Sequence, residues 1–164
     1  MAATQDPNTL DQLLGKKTTG TVTDALQANL LDLIKLGLSV KQAHWNLAGP
    51  QFLTIHTFLD EVYSEVQEYT DQTAERIRQL DAFPNGNADA VAESQTIEKM
   101  PLGKIKDLDA VEHVLQRIEA TVKAVRDRLE TFEEDEVVSA DLVHAHLLGL
   151  ENRAWMLRST LGRD

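Results

Sequence analysis

The chain has no cysteine, so disulfides and thiolate-bound zinc or iron–sulfur centres are excluded. It holds only four prolines and eight glycines in 164 residues, too few for a loop-rich fold, and aromatic residues make up 5%. No segment offers the run of about 18 apolar residues that a membrane span requires, and residues 1–20 carry no apolar stretch of the secretory kind. A cytoplasmic protein with no membrane contact is the expectation. Positive charge is also scarce: 16 basic residues face 27 acidic ones, for a formal net charge of −11. That balance opposes broad attraction to nucleic acid or anionic lipid and favours small cations, although acidic surfaces also serve solubility alone.

What is present is helical periodicity. From Thr23, read as an N-cap, the positions Leu26, Leu30, Leu33, Gly37, Val40 and His44 recur at helical spacing to about Leu47. Gly49-Pro50 stops that helix and opens a second over residues 51–80, whose stripe is Phe52, Ile55, Leu59, Val62, Val66, Tyr69, Thr73 and Ile77. The segment 81–108, with Pro84, Gly86, Pro101 and Gly103, is long enough to cross the molecule, and Ala88–Ser94 within it reads as a short helix capped by Asn87. Asp109 and Glu112 resemble a capping box for a third long helix reaching Glu133-Glu134-Asp135-Glu136, and Ser139 reads as the N-cap of a fourth. The fold class is therefore all-α: a four-helix bundle with one long crossover carrying a short extra helix, preceded by a flexible tail over 1–20 and occupying 21–164.

The second helix carries the chemistry. With successive side chains about 100° apart, His56, Asp60, Asp71 and Glu75 fall at roughly 0°, 40°, 60° and 100° and share one stripe. His44 at the end of the first helix joins them in the pattern H-x11-H-x3-D-x10-D-x3-E. The His56/Asp60 and Asp71/Glu75 pairs nevertheless lie roughly 22 Å apart along the axis, too far for one metal. A second copy of the helix running antiparallel would bring the first pair of one chain opposite the second pair of the other. The spacing thus implies a site shared between two subunits, and a two-fold axis makes two such sites. Imidazole and carboxylate ligands without thiolate suit iron, manganese or zinc.

Residues 41–79, KQAHWNLAGPQFLTIHTFLDEVYSEVQEYTDQTAERIRQ, closely resemble the signature of the Dps family, the ferritin-like DNA-binding proteins from starved cells. The resemblance rests on His44-Trp45, the Gly-Pro break, the two spaced ligand pairs and the ENRAWMLRS segment at 151–159, and covers roughly residues 21–161. It implies a ferritin-like bundle assembled as a dodecameric hollow shell, a ferroxidase that oxidises ferrous iron with hydrogen peroxide and stores ferric mineral. His44, His56 and Asp60 would come from one subunit and Asp71 and Glu75 from its mate. Trp45 would intercept stray oxidising equivalents, with Trp155 a weaker candidate, and Asp141 would line an ion pore, with Glu134, Asp135 and Glu136 preceding it.

Glu61, Glu65 and Glu68 lie beside the ligand stripe and are candidates for mineral nucleation, as well as for a solvated helix face. DNA binding is expected to be weak, because the N-terminal arm offers only Lys16 and Lys17 against Asp6 and Asp11. Nucleoid association, with DNA condensation as the main role and iron oxidation secondary, is the competing function. A hydrolytic use of the same metal site is a third, for which no nucleophile–base pair speaks. His113, His144 and His146 read as surface or interface histidines.

Overall fold

The computed structural model describes residues 16–133 and 136–163. In chain order the elements are α1 (Lys16–Asn46), β1 (Leu47–Ala48), α2 (Phe52–Gln79), α3 (Ala88–Glu93), β2 (Ile105–Lys106), α4 (Asp107–Asp127), α5 (Glu130–Glu133) and α6 (Val137–Thr160). Four long helices pack as the expected ferritin-like bundle, and the crossover from α2 to α4 carries the short α3. Two apolar clusters fill the interior. One, built on Leu36, Val40, Ile55, Leu59, Val62, Val114, Ile118 and Leu157, lies at the α1–α2 corner. The other, built on Leu26, Leu30, Ile77, Val125, Phe132 and Val143, lies at the opposite end.

Several boundaries differ from the sequence expectation for identifiable reasons. Helix α1 begins at Lys16, and Thr23 lies inside it, its hydroxyl donating to the Gly20 carbonyl at 3.0 Å rather than capping an end. Residues 1–15 of the expected tail, and Glu134 and Asp135, lie outside the described residues. Helix α4 begins at Asp107, ahead of the expected Asp109 capping box. It also stops at Asp127 instead of running through to Glu136, because Arg128 turns back onto α1, donating to Asp32 and Asn29 at 2.8 Å each. Buried Asp32 also accepts from the Ser94 hydroxyl at 2.8 Å, which ties the crossover to α1. Further along, the buried Arg117 donates to the Lys99 carbonyl at 2.7 Å. These bonds satisfy charges that would otherwise be costly to bury.

The α1–α2 corner is fastened by a contact that no strand signal announces. Leu47–Ala48 pairs in parallel with Ile105–Lys106. Asp107 then reaches across, accepting from the Gln51 amide at 2.7 Å and from the Leu108 amide at 3.0 Å. Gly49 makes room for this, since a Cβ there would lie 2.3 Å from the Asp107 carboxylate. Pro50 sits in the turn before α2 and not within its first turn.

Candidate metal centre

Because α1 ends and α2 begins at this corner, His44 in the last turn of one helix faces His56 in the second turn of the other. The imidazoles stack with centroids 3.6 Å apart and planes 25° from parallel. His44 Nδ1 lies 3.1 Å from the His56 carbonyl, and His56 Nδ1 lies 3.2 Å from the His44 carbonyl. A carbonyl only accepts, so each Nδ1 must carry a proton, and in a neutral ring the lone pair then sits on Nε2. That is the tautomer a metal ligand needs, and backbone atoms impose it. Asp60, one turn beyond His56, completes a set whose ligand atoms all lie within 4.8 Å of one another.

The electrostatics keep the set ready for a cation. Burial, with the nearby His56 and Lys41, holds the His44 imidazole below its ordinary value and therefore neutral. The ammonium of Lys41, 2.6 Å from Asp60 Oδ1, holds that carboxyl below the usual carboxylate range. His44 Nδ1 is 3.4 Å from the same oxygen. Lys41 carries no sequence signal for Asp60, although its position one turn before His44 puts it on the ligand side of α1. It occupies the charge position that an incoming metal would take.

Asp71 and Glu75 are not brought to this cluster. Both are exposed on α2, three to four turns further along, and they open onto different cavities. Asp71 borders one of about 260 Å³ with Leu30, Ile34 and Pro84. Glu75 borders one of about 430 Å³ that also holds Asp141 and Arg76. Around the His44–His56–Asp60 cluster the surface is unusually apolar: Trp45 is 67% and Leu53 73% exposed, and Leu38 and Phe52 are exposed beside them. Phe52 leans on His56 at 4.8 Å. Trp45 thus stands on the outer surface next to the site and is not packed in the core of its own subunit.

The other sequence candidates fare differently. Glu61 and Glu65 are not free carboxylates, because Arg153 on α6 reaches them at 3.3 Å and 2.6 Å, while Glu68 accepts from Gln72 at 3.1 Å. Glu136 is 4% exposed, caps α6 by accepting from the Ser139 amide at 2.7 Å and pairs with Arg76 at 2.9 Å. It is therefore a helix cap in place of Ser139, and its carboxylate is spent inside the subunit. Asp141 is exposed and Trp155 is 57% exposed. His113 is half-buried and His144 exposed, but His146 is buried, contrary to the surface expectation, with Nε2 2.9 Å from Gln72 Oε1.

Known proteins share this arrangement of helices. The ferritin-like domain family matches residues 23–164. The DNA protection during starvation protein of Mycolicibacterium smegmatis is 32% identical over 152 residues, covering 90% of this chain and 81% of that protein. The fine tangled pili major subunit of Haemophilus ducreyi is 34% identical over 140 residues, covering 85% and 74%. Among solved structures, Dps from Microbacterium arborescens in its high-iron form superposes with a TM-score of 0.85 at 26% identity, covering 90% of this chain and 97% of that one. No helix among the described residues is long and apolar enough to cross a membrane. With the bundle, its crossover helix and the matched sequence all in agreement, the chain belongs to the Dps family of ferritin-like proteins.

Proposed function

We propose that this protein is an iron-storage ferroxidase that oxidises ferrous iron with hydrogen peroxide at a site shared between two subunits. The observation that carries the reading is the half-site itself. Two imidazoles present Nε2 lone pairs beside Asp60, while the remaining two acids of the pattern stand exposed on the same helix beyond reach. A second copy, antiparallel about a two-fold axis, supplies Asp71 and Glu75 and covers Leu38, Trp45, Phe52 and Leu53. Paired ferrous ions there each give one electron, and peroxide with two protons becomes two waters, so hydroxyl radical is not released. Neutral imidazole and carboxylate donors favour the ferric product. An arriving cation displaces the Lys41 ammonium from Asp60, so a charge already offset is replaced by a stronger one.

In the full reading, ferric mineral accumulates inside a dodecameric cytoplasmic shell and the cell is protected from oxidative damage. Asp141 belongs to the entry route, since it shares its cavity with Glu75. Glu61 and Glu65 enter only as residues whose pairing with Arg153 must open before they seed mineral. The high-iron form of the Microbacterium arborescens relative supports iron as substrate. A second reading, DNA binding, draws on the name of the Mycolicibacterium smegmatis relative; the net charge of −11 weighs against it. Retention of DNA in a mobility-shift titration at physiological salt would promote that reading.

The decisive experiment mixes two inactive variants. His44→Ala/His56→Ala and Asp71→Ala/Glu75→Ala are each expected to lose rapid peroxide-driven oxidation while keeping the particle mass of the wild type. Co-assembled at random in equal amounts, they should recover about a quarter of the sites, because half the pairs are mixed and each mixed pair holds one intact site. No recovery, or normal oxidation by the doubly substituted histidine variant, overturns the shared site.

A further inference from the structure

Between α2 and α6 runs a polar ladder that the metal site does not use. The Tyr69 hydroxyl donates to Glu65 Oε1 at 2.6 Å, and Glu65 Oε2 accepts from Arg153 Nε at 2.6 Å. His146 stacks on the Tyr69 ring, centroids 4.5 Å apart and planes 27° from parallel, and its Nε2 donates to Gln72. Gly149 faces this pair: a Cβ there would stand 1.8 Å from the Tyr69 oxygen and 2.8 Å from Glu65 Oε1. Glycine inside a helix is destabilising, so the room for the phenol–carboxylate contact is kept at the expense of α6.

We propose that Tyr69 is an electron donor to the iron–peroxide reaction, losing its electron to the oxidising site and its proton to Glu65 along the hydrogen bond already formed. The proposal rests on the ferroxidase reading. Tyr69 lies four residues from the midpoint of Asp71 and Glu75, about 6 Å along the axis of α2, on the inward side of the helix whose outer side carries those acids. The oxidising equivalent therefore crosses one helix and stops at a ring shielded by α6.

Such a donor matters when only one ferrous ion is in place. Peroxide needs two electrons to become water, and a lone ferrous ion supplies one. One ferrous ion, one Tyr69 phenol, one peroxide, one Glu65 carboxylate and two protons from solvent give one ferric ion, one phenoxyl radical, one protonated Glu65 and two waters. No hydroxyl radical is left over. The surroundings favour Tyr69 over Tyr63, the other tyrosine of the chain. Tyr63 has the Lys41 ammonium 4.9 Å from its ring centroid, and that positive charge opposes removal of an electron. Tyr69 instead has the carboxylates of Glu65 and Glu68 near it against the single cation of Arg153, and stacks on a His146 ring that burial keeps neutral.

The test is freeze-quench electron paramagnetic resonance of the assembled protein after peroxide is added to one ferrous ion per shared site. A tyrosyl signal that narrows on ring deuteration of tyrosine is expected in wild type and in Tyr63→Phe, and is expected to be lost in Tyr69→Phe. Glu65→Gln, which removes the base, should also lose it. Persistence in Tyr69→Phe, or no tyrosyl signal in wild type while iron is oxidised normally, overturns the proposal. A metal-free arm separates it from the ferroxidase reading: one-electron oxidation by azide radical should leave a phenoxyl absorbance in wild type and Tyr63→Phe but not in Tyr69→Phe. If iron is not oxidised yet this arm gives that pattern, the ferroxidase reading fails and the assignment of Tyr69 as the oxidisable ring stands; equal phenoxyl yield in Tyr69→Phe removes the assignment.

Discussion

Protonation of His146 should weaken the subunit in mild acid. The residue is 4% exposed, wedged between the Tyr69 ring and Gln72, and burial pushes its pKa down to about 4 from an ordinary 6.5. Below pH 6.5 the unfolded chain takes up a proton that the folded chain refuses until the pH approaches 4, so stability falls with falling pH across that window. Above 6.5 the contribution is fully present. A difference between 6.5 and about 4 corresponds to a loss of about 3 kcal/mol by the lower end, roughly a 150-fold change in the folding equilibrium. His146→Phe keeps a ring against Tyr69 and removes the titrating group. Urea unfolding at fixed subunit concentration, followed from pH 7 to pH 4, should show the wild type losing about 3 kcal/mol more than the variant. Carboxylates such as Glu136 titrate in both proteins and cancel in the comparison. Parallel pH curves for the two proteins would refute the reasoning.

Two further outcomes follow from contacts at the ends of the bundle. Glu136→Ala removes the α6 cap and leaves Arg76 without its carboxylate, and should cost about 2 kcal/mol in thermal or urea unfolding, with hydrogen exchange fastest in the first turn of α6. Lys41→Ala vacates the ammonium position on Asp60 and should tighten binding of a redox-silent dication such as zinc several-fold by calorimetry, with unchanged particle mass. Weaker binding would show that Lys41 supports the site instead of competing for it.

The parts of the fold legible in the sequence were those that periodicity controls. Ile55, Leu59, Val62, Val66 and Ile77 repeat on one face of α2 and are buried there, and Gly49-Pro50 marks the corner. The short crossover helix was legible from helix-forming residues between proline and glycine signals. His44, His56 and Asp60 followed from the same logic, because the corner and one helical turn suffice to gather them. What escaped were features set by distant partners. The break after Asp127 depends on where Asn29 and Asp32 lie on α1, the bond from Gln51 to Asp107 joins segments distant in sequence, and the Glu136 cap is held by Arg76 across the bundle. The burial of His146 is not legible in the sequence because α6 is apolar on several sides, with Leu148 and Trp155 exposed, so its buried face has no clear phase. Lys41 and Arg153 carry no local signal for the acids they choose.

The stacked rings of His44 and His56 have a consequence for genetics. Each main-chain carbonyl fixes its neighbour's tautomer and survives substitution, but the rings pack on one another, so losing either imidazole strips the other of its stacking partner and the two positions form one epistatic unit. Selection therefore meets them as a single character: an allele lacking one gains little by retaining its mate, and the pair is expected to be kept or discarded jointly.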